Sequence, residues 1–219
     1  MRLARHENPK ESKLMKFINL AGTAIMLNLI FLVACIPVVT IGPAFSGLYS
    51  GVRYMIRGDG AIRGFRDGFK TNPLRTVPAG IVMMAAVVYF VINVNAAYNY
   101  AMDLGDYVPL IMYGVLAMPV LMIFAAMWPL NIYIDYSAMD WLRNSVNLVV
   151  KAPHWVLLSA VVTWAPVVLF FWMPVLFWAV AIIFIAAWFS MASFASTLFL
   201  KAALVDLKKI YLEQEEEEE

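Results

Sequence analysis

Four stretches of this chain hold no Asp, Glu, Lys or Arg: Val77 to Asn99, Pro109 to Asn131, Trp155 to Met173 and Val175 to Phe199. A helix rising about 1.5 Å per residue needs ~20 apolar residues to cross ~30 Å of hydrocarbon, and each stretch meets that length. Backbone polar groups in lipid have no water to bind, so an uncharged stretch of this length reads as a helix. A fifth apolar run occupies Phe17 to Val39. Composition closes the alternative: 63% of the 219 residues are apolar and 14% are charged, where soluble domains carry ~45–50% and about 25%. A water-soluble globule is excluded.

The expected fold class is therefore all-α, a polytopic membrane helical bundle. Its five long transmembrane helices are placed at residues 16–39, 77–99, 109–131, 155–173 and 175–199. A short returning or re-entrant helix is placed at 43–56, and two amphipathic cytoplasmic elbow helices at 60–71 and 138–150. Residues 1–212 form one integral-membrane domain. Residues 213–219, Glu-Gln followed by five Glu, make a like-charged tail that repels itself and reads as disordered.

Charge placement sets the orientation. The turn Tyr100-Ala-Met-Asp103-Leu-Gly-Asp106-Tyr107 is acidic and free of Lys and Arg, so the positive-inside rule places it outside. Arg53, Arg57, Arg63, Arg66, Lys70, Arg75, Arg143, Lys151, Lys201, Lys208 and Lys209 then fall inside, eleven of the 16 basic residues. The other five precede the first run. They join the rest only if the chain turns back after it, and Pro37, Gly42, Pro43, Gly47 and Gly51 supply the break. Five simple spans with an outside N-terminus would leave those five outside. With the return, both termini are cytoplasmic.

The elbow at 60–71 offers Ile62, Phe65 and Phe69 on one face, with Asp59 placed to cap it. The elbow at 138–150 opens on Ser137-Ala-Met-Asp140, a variant of the capping box, and offers Trp141, Leu142, Val146 and Val149. Each elbow reaches a proline, Pro73 or Pro153, before an uncharged run. Superposing the two prolines, 80 residues apart, also pairs Ile62 with Leu142, Arg63 with Arg143 and Phe69 with Val149. A duplicated unit of elbow and transmembrane hairpin accounts for this, as does coincidence imposed by similar architecture.

Several function classes lose support. Sixteen basic against fifteen acidic residues leave no excess for nucleic acid. One Cys permits no internal disulfide framework, and two His with one Cys are too few for a structural zinc site. Leu32-Val-Ala-Cys35 fits a lipoprotein cleavage box, but the long polar lead and the interruptions at Asn19 and Asn28 favour an ordinary buried cysteine. No H-E-x-x-H, G-x-S-x-G, P-loop or G-x-G-x-x-G motif occurs. Asp135, Asp140 and His154 could make an acid/base set, yet nothing in their spacing fixes a geometry, and His154 beside Trp155 reads as an interfacial anchor.

Ionisable side chains inside spans usually mark ion pathways, and the four clean runs have none, which disfavours a proton-coupled carrier. The polar side chains left to the spans are Asn28, Asn93, Asn95, Thr163, Ser190, Ser193 and Thr197. Ser190, Ser193 and Thr197 share one helix face, read as a packing seam before a substrate face. Trp155, Trp172 and Trp178 read as interfacial anchors, Trp128 and Trp188 as packing.

The run Ile36-Pro-Val-Val-Thr-Ile-Gly-Pro-Ala44, with Leu48-Tyr49 and Arg53-Tyr-Met-Ile-Arg57-Gly58 after it, resembles the signature of the YesL family of bacterial membrane proteins. Phe65-Arg66-Asp67-Gly-Phe69-Lys70 is similar to that family's loop. The resemblance marks Pro37, Thr40, Gly42, Pro43 and Tyr49 as motif and packing positions, and Arg53, Arg57, Arg63, Arg66 and Lys70 as a cytoplasmic basic loop. It implies a small polytopic protein of Gram-positive bacteria, of unknown biochemical function, encoded near carbohydrate ABC importers. Asp59-Gly60-Ala61 with Phe65 or Phe69 and Pro73 is also faintly similar to the coupling loop of ABC permeases, without its Glu-Ala-Ala part. The expectation is a non-enzymatic accessory or regulatory component of carbohydrate uptake, without cofactor or metal, with the lipid bilayer and importer subunits as partners. The alternative is a facilitative transporter or channel acting alone, its pathway lined by Cys35 to Gly51.

Overall fold

The computed structural model describes residues 13–133, 137–173, 175, 178, 181 and 184–200. Among them there is no strand, and the elements run α1 (Lys13–Ala34), a 3-10 turn (Val38–Thr40), α2 (Ile41–Arg57), α3 (Ala61–Lys70), α4 (Pro73–Leu104), α5 (Val108–Tyr133), α6 (Ala138–Lys151) and α7 (Pro153–Trp172). A last helix, α8 (Ala186–Leu200), opens in the π turn Phe184–Trp188. The acidic tail and the basic residues Arg2, Arg5, Lys10, Lys201, Lys208 and Lys209 lie outside the described residues.

The helix over the first apolar run ends at Ala34, five residues before the expected boundary. Pro37 has no N–H to continue it, and the Thr40 hydroxyl sits 2.6 Å from Ala34 O and 2.7 Å from Pro37 O, supplying a partner for carbonyls the stopped helix leaves over. The returning helix then starts at Ile41, where Pro43 is tolerated because its missing N–H belongs to the first turn. It stops at Gly58 in the left-handed conformation, φ 73°, with the Gly58 N–H on Met55 O.

α2 runs back along α1. The Phe31 and Phe45 rings meet edge to face at 5.0 Å, and a Cβ on Gly51 would lie 2.6 Å from Leu27 Cδ2. Going up α2 is going down α1, so the pair is antiparallel. α2 is also the innermost element, with every residue from Ile41 to Val52 buried. It is far from the most apolar helix. Small and hydroxylated residues fill it, while Ile92, Ile111, Val115 and Leu116 on α4 and α5 are exposed. This arrangement is the reverse of a soluble core. Phe17–Ala34, α4 and Val108–Ile132 are long and apolar enough to cross a membrane, and the α6–α7 pair, bent by 110°, counts as a fourth if taken as one span. These helices are compatible with a multi-pass membrane protein.

α2 meets α4 backbone to backbone. A Cβ on Gly42 would overlap the Thr76 carbonyl, and one on Gly80 would overlap the Gly42 backbone, so only a glycine pair permits the crossing. Against the other side of α2 lies α3, whose buried positions are Ala61, Gly64, Phe65 and Gly68. The face is rotated from expectation: Phe65 is buried and Phe69 partly so, but Ile62 is 49% exposed. Gly60, not Asp59, occupies the cap position.

α6 packs on the end of α5 in the same way. Ser137 caps it as expected, accepting from the Asp140 N–H at 3.2 Å while its hydroxyl donates to the Asp140 carboxylate. Its buried residues are Trp141, Ser145 and Leu148, whereas Leu142 and Val146 are exposed. Shifted by 80 residues, the burial pattern of α3 thus recurs in α6: Ala61 and Trp141, Phe65 and Ser145, Gly68 and Leu148 are buried, and Ile62 and Leu142 are exposed. The pattern continues past the prolines, with Thr76 and Val156 buried, Pro78 and Leu158 exposed, Gly80 and Ala160 buried.

α7 and α8 pack side by side. Pro166 has no N–H, which leaves Val162 O without its helical donor, and Trp188 Nε1 from the π turn bonds that carbonyl at 3.1 Å. An aromatic chain ties the centre together, from Phe189 to Phe31 (5.2 Å), Phe45 (5.0 Å), Trp128 (5.4 Å) and Trp141 (5.6 Å).

Candidate functional site

An arginine in the first turn of a helix faces the positive end of the helix dipole, which disfavours it. Arg75 of α4 is such a residue, and it is also buried. Three neighbours account for it. Its Nη2 donates to Asn131 Oδ1 on α5, its guanidinium lies 5.2 Å from the centre of the Trp141 ring, and the Asn131 amide passes the connection on, donating to Ser46 Oγ on α2 at 2.8 Å. Arg53 of α2 serves the same end of α5, its Nη1 donating to Ile132 O. A cation at a helix C-terminus takes up carbonyls of the last turn and complements the dipole. Two arginines thereby hold three helices to the end of α5.

Beside this junction lies a cavity of about 250 Å³ lined by α2, α3 and α5. From α2 come Ser46, Ser50, Arg53, Tyr54 and Arg57, one helical face repeated every three or four residues. From α3 come Asp67 and Gly68, with Thr71 at its C-terminal cap, and from α5 come Asn131 and Ile132. Gly68 is where α3 comes closest to this face of α2. A Cβ there would lie 2.7 Å from Ser46 O and would press on Ser50. Asp67 is the carboxylate of the lining, and it pairs with Arg63, Nε to Oδ2 at 3.8 Å, across an exposed turn of α3.

Of the basic loop, Arg53 and Arg57 thus reach the cavity, and Arg63, Arg66 and Lys70 stay exposed on α3. The motif positions divide by role. Thr40 closes the break after α1, Gly42 makes the crossing with α4, and Pro37 is exposed at the tip of the turn. Tyr49 is buried inside the bundle, where its hydroxyl lies among Thr163, Ser193 and Ser196 without a hydrogen bond of normal geometry to them. Ser159 Oγ donates to Ser196 Oγ at 2.8 Å, and the Ser190 N–H donates to Asn28 Oδ1 at 3.1 Å. The seam of small polar residues on α8 therefore faces α1, α2 and α7 together.

The imagined acid/base set is not assembled among the described residues: Asp140 is engaged at the α6 cap, His154 rests 5.2 Å from the Trp155 ring, and Asp135 lies outside those residues. Nor do three His, Cys, Asp or Glu gather to hold a metal among the described residues.

The cavity and the Gly42 crossing come mainly from one segment, and that segment has counterparts elsewhere. Residues 24–94 match the family model described as a protein of unknown function, DUF624. The matched segment holds the end of α1, all of α2 and α3 and most of α4, leaving Asn131 and Ile132 as the cavity residues outside it. No curated protein and no solved structure matches the chain.

The arginine junction was not legible beforehand. Asn131 read as the end of an uncharged run and Arg75 as one basic loop residue among six. The available signal was Arg75 itself, two residues after Pro73 at the wrong end of a helix.

Proposed function

We propose that this chain is a YesL-type, non-enzymatic membrane protein that acts by binding, as an accessory or regulatory component of carbohydrate uptake in a bacterial plasma membrane. The observation that carries the binding part is the arginine-lined cavity at the junction of α2, α3 and α5. The carbohydrate setting, with ABC importer subunits as partners, rests on the family resemblance of Ile36 to Ala44 and Phe65 to Lys70. Arg63, Arg66 and Lys70 on the outer face of α3 add a basic surface that anionic lipid attracts by ~1 kcal/mol per charge.

In this reading α1 enters from the cytoplasm, breaks near mid-membrane at Cys35 to Pro37, and α2 returns. The antiparallel contacts Phe31–Phe45 and Leu27–Gly51 support the return. α3 and α6 are cytoplasmic elbows, residues 77–99, 109–131, 155–173 and 175–199 span, and both termini face the cytoplasm. Single cysteines in place of Arg5 and Asp103, in a Cys35→Ser background, test this: only the latter labels from outside, and labelling of both refutes the return. For function, the tagged protein purified from native membranes brings down importer subunits, and its deletion slows growth on glycans. Recovery of no importer subunit together with unchanged growth overturns the accessory role.

A second reading, a facilitative transporter, is favoured by one observation: the buried hydroxyls of Tyr49, Thr163 and Ser190 within the bundle have no hydrogen-bond partner among the described residues. Broken helices at mid-membrane are where transporters bind solutes. Solute flux through the protein reconstituted alone in liposomes supports this reading, and none across a broad sugar panel removes it.

A further inference from the structure

We infer that the cavity between α2, α3 and the end of α5 is a binding site for a phosphate group carried on a small polar body. The inference rests on the binding role proposed above and names the ligand chemistry.

Two arginines, Arg53 and Arg57, line the cavity against one carboxylate, Asp67. They stand four residues apart on α2, a spacing at which like charges repel. Arg53 is fixed by its bond to Ile132 O, and Arg57, on the exposed last turn, has no ion-pair partner among the described residues. The Asp67 carboxylate is shared with Arg63, and with two arginines to one carboxylate the lining carries a positive excess. Arg75 lies one residue behind the wall, linked through Asn131 to Ser46. A phosphate accepts from several donors at once, and planar guanidinium groups suit its geometry. The hydroxyl-bearing Ser46, Ser50, Tyr54 and Thr71 share the lining and give polar neighbours to whatever carries it. At about 250 Å³ the space lies below the ~300–1,000 Å³ of drug-sized pockets, which suits a phosphorylated metabolite or a lipid headgroup and excludes a folded partner.

The test uses the full chain purified in neutral detergent and in nanodiscs. The soluble probe is glycerol 3-phosphate with glycerol as its uncharged control, read by calorimetry and thermal unfolding. The lipid probe compares phosphatidylcholine nanodiscs with discs that also contain phosphatidylglycerol. Binding of glycerol 3-phosphate without glycerol assigns the site to a soluble phosphate ester. Stabilisation by phosphatidylglycerol alone, lost in Arg57→Gln, assigns it to a headgroup. Either supports the site. Arg57→Gln, at an exposed position, weakens binding about tenfold, one charge-assisted contact, with unchanged unfolding of the free protein. Asp67→Asn strengthens binding a few-fold, an effect no folding defect imitates. The inference is overturned if neither probe binds, if glycerol binds equally, or if both variants bind as wild type does. Those failures leave the importer co-purification and the glycan growth phenotype standing, so they are distinct from failure of the accessory role.

Discussion

α3 on α2 and α6 on α5 are two solutions to one packing problem. Both are short helices leading through a proline into a long apolar helix, and their buried positions agree at an offset of 80 residues except at Gly64, whose counterpart Asn144 is only partly buried. They are filled in opposite ways. In the first, Gly64 takes the Tyr54 side chain and Gly68 lies directly against Ser46 and Ser50, at the edge of the arginine-lined cavity. In the second, Trp141 stands where the first has Ala61 and Leu148 where it has Gly68, and the Trp141 ring packs on Trp128 while its N–H bonds Met127 O at 2.7 Å. One copy is held by side-chain volume, the other by glycine. The shared pattern fits an internal duplication as it fits similar architecture, and the cavity lies on the glycine side.

The comparison breaks most severely at the α2–α4 crossing. Gly42→Leu sets a side chain against the Thr76 backbone, and a loss of about 3 kcal/mol or more is expected. It is seen as a collapsed monodisperse peak in detergent chromatography, and wild-type behaviour would show that the two backbones do not touch. Next is Trp141→Ala, which removes the Trp128 contact, the bond to Met127 O and the ring beside Arg75. Thermal unfolding is expected to register about 3–5 kcal/mol.

Gly68→Leu copies the second unit into the first. Its expected cost is about 3 kcal/mol, because a Cβ there already overlaps Ser50 Cβ and lies 2.7 Å from Ser46 O, with cavity binding lost along with the α2–α3 contact; a variant that binds glycerol 3-phosphate as before would put the site elsewhere. The smallest effect belongs to Arg63→Ala. Arg63 is largely solvated and Asp67 partly so, and exposed pairs of this kind contribute under about 1 kcal/mol, so a melting temperature moved by many degrees would reveal a larger role for the α3 surface.

Much of the fold was legible because its signals are local. Uncharged length marked the helices over 77–99, 109–131 and 155–173, Pro37 marked the break after α1, and Ser137 with Asp140 opened α6. Helix faces were less legible. An amphipathic helix in water shows its buried face through polarity, but exposed apolar residues such as Ile62, Leu142 and Val146 carry no such contrast, and counting apolar residues alone drew them into the packed face. α4 and α5 are apolar all round, so nothing in their periodicity distinguishes the side that meets α2.

Of the cavity lining, the sequence located Arg53 and Arg57 on a basic segment. It could not bring Asn131, 74 residues beyond Arg57, to the same wall. That meeting depends on how closely α2 and α4 cross, which Gly42 and Gly80 permit but do not announce. The sequence by itself determined the class of the protein, its helices and where most of them stop, because hydrophobic length and backbone chemistry act within a few turns. Only the tertiary structure decided which arginines are buried, which hydroxyls face one another and where a cavity remains, because those outcomes are set by contacts between segments far apart in the chain.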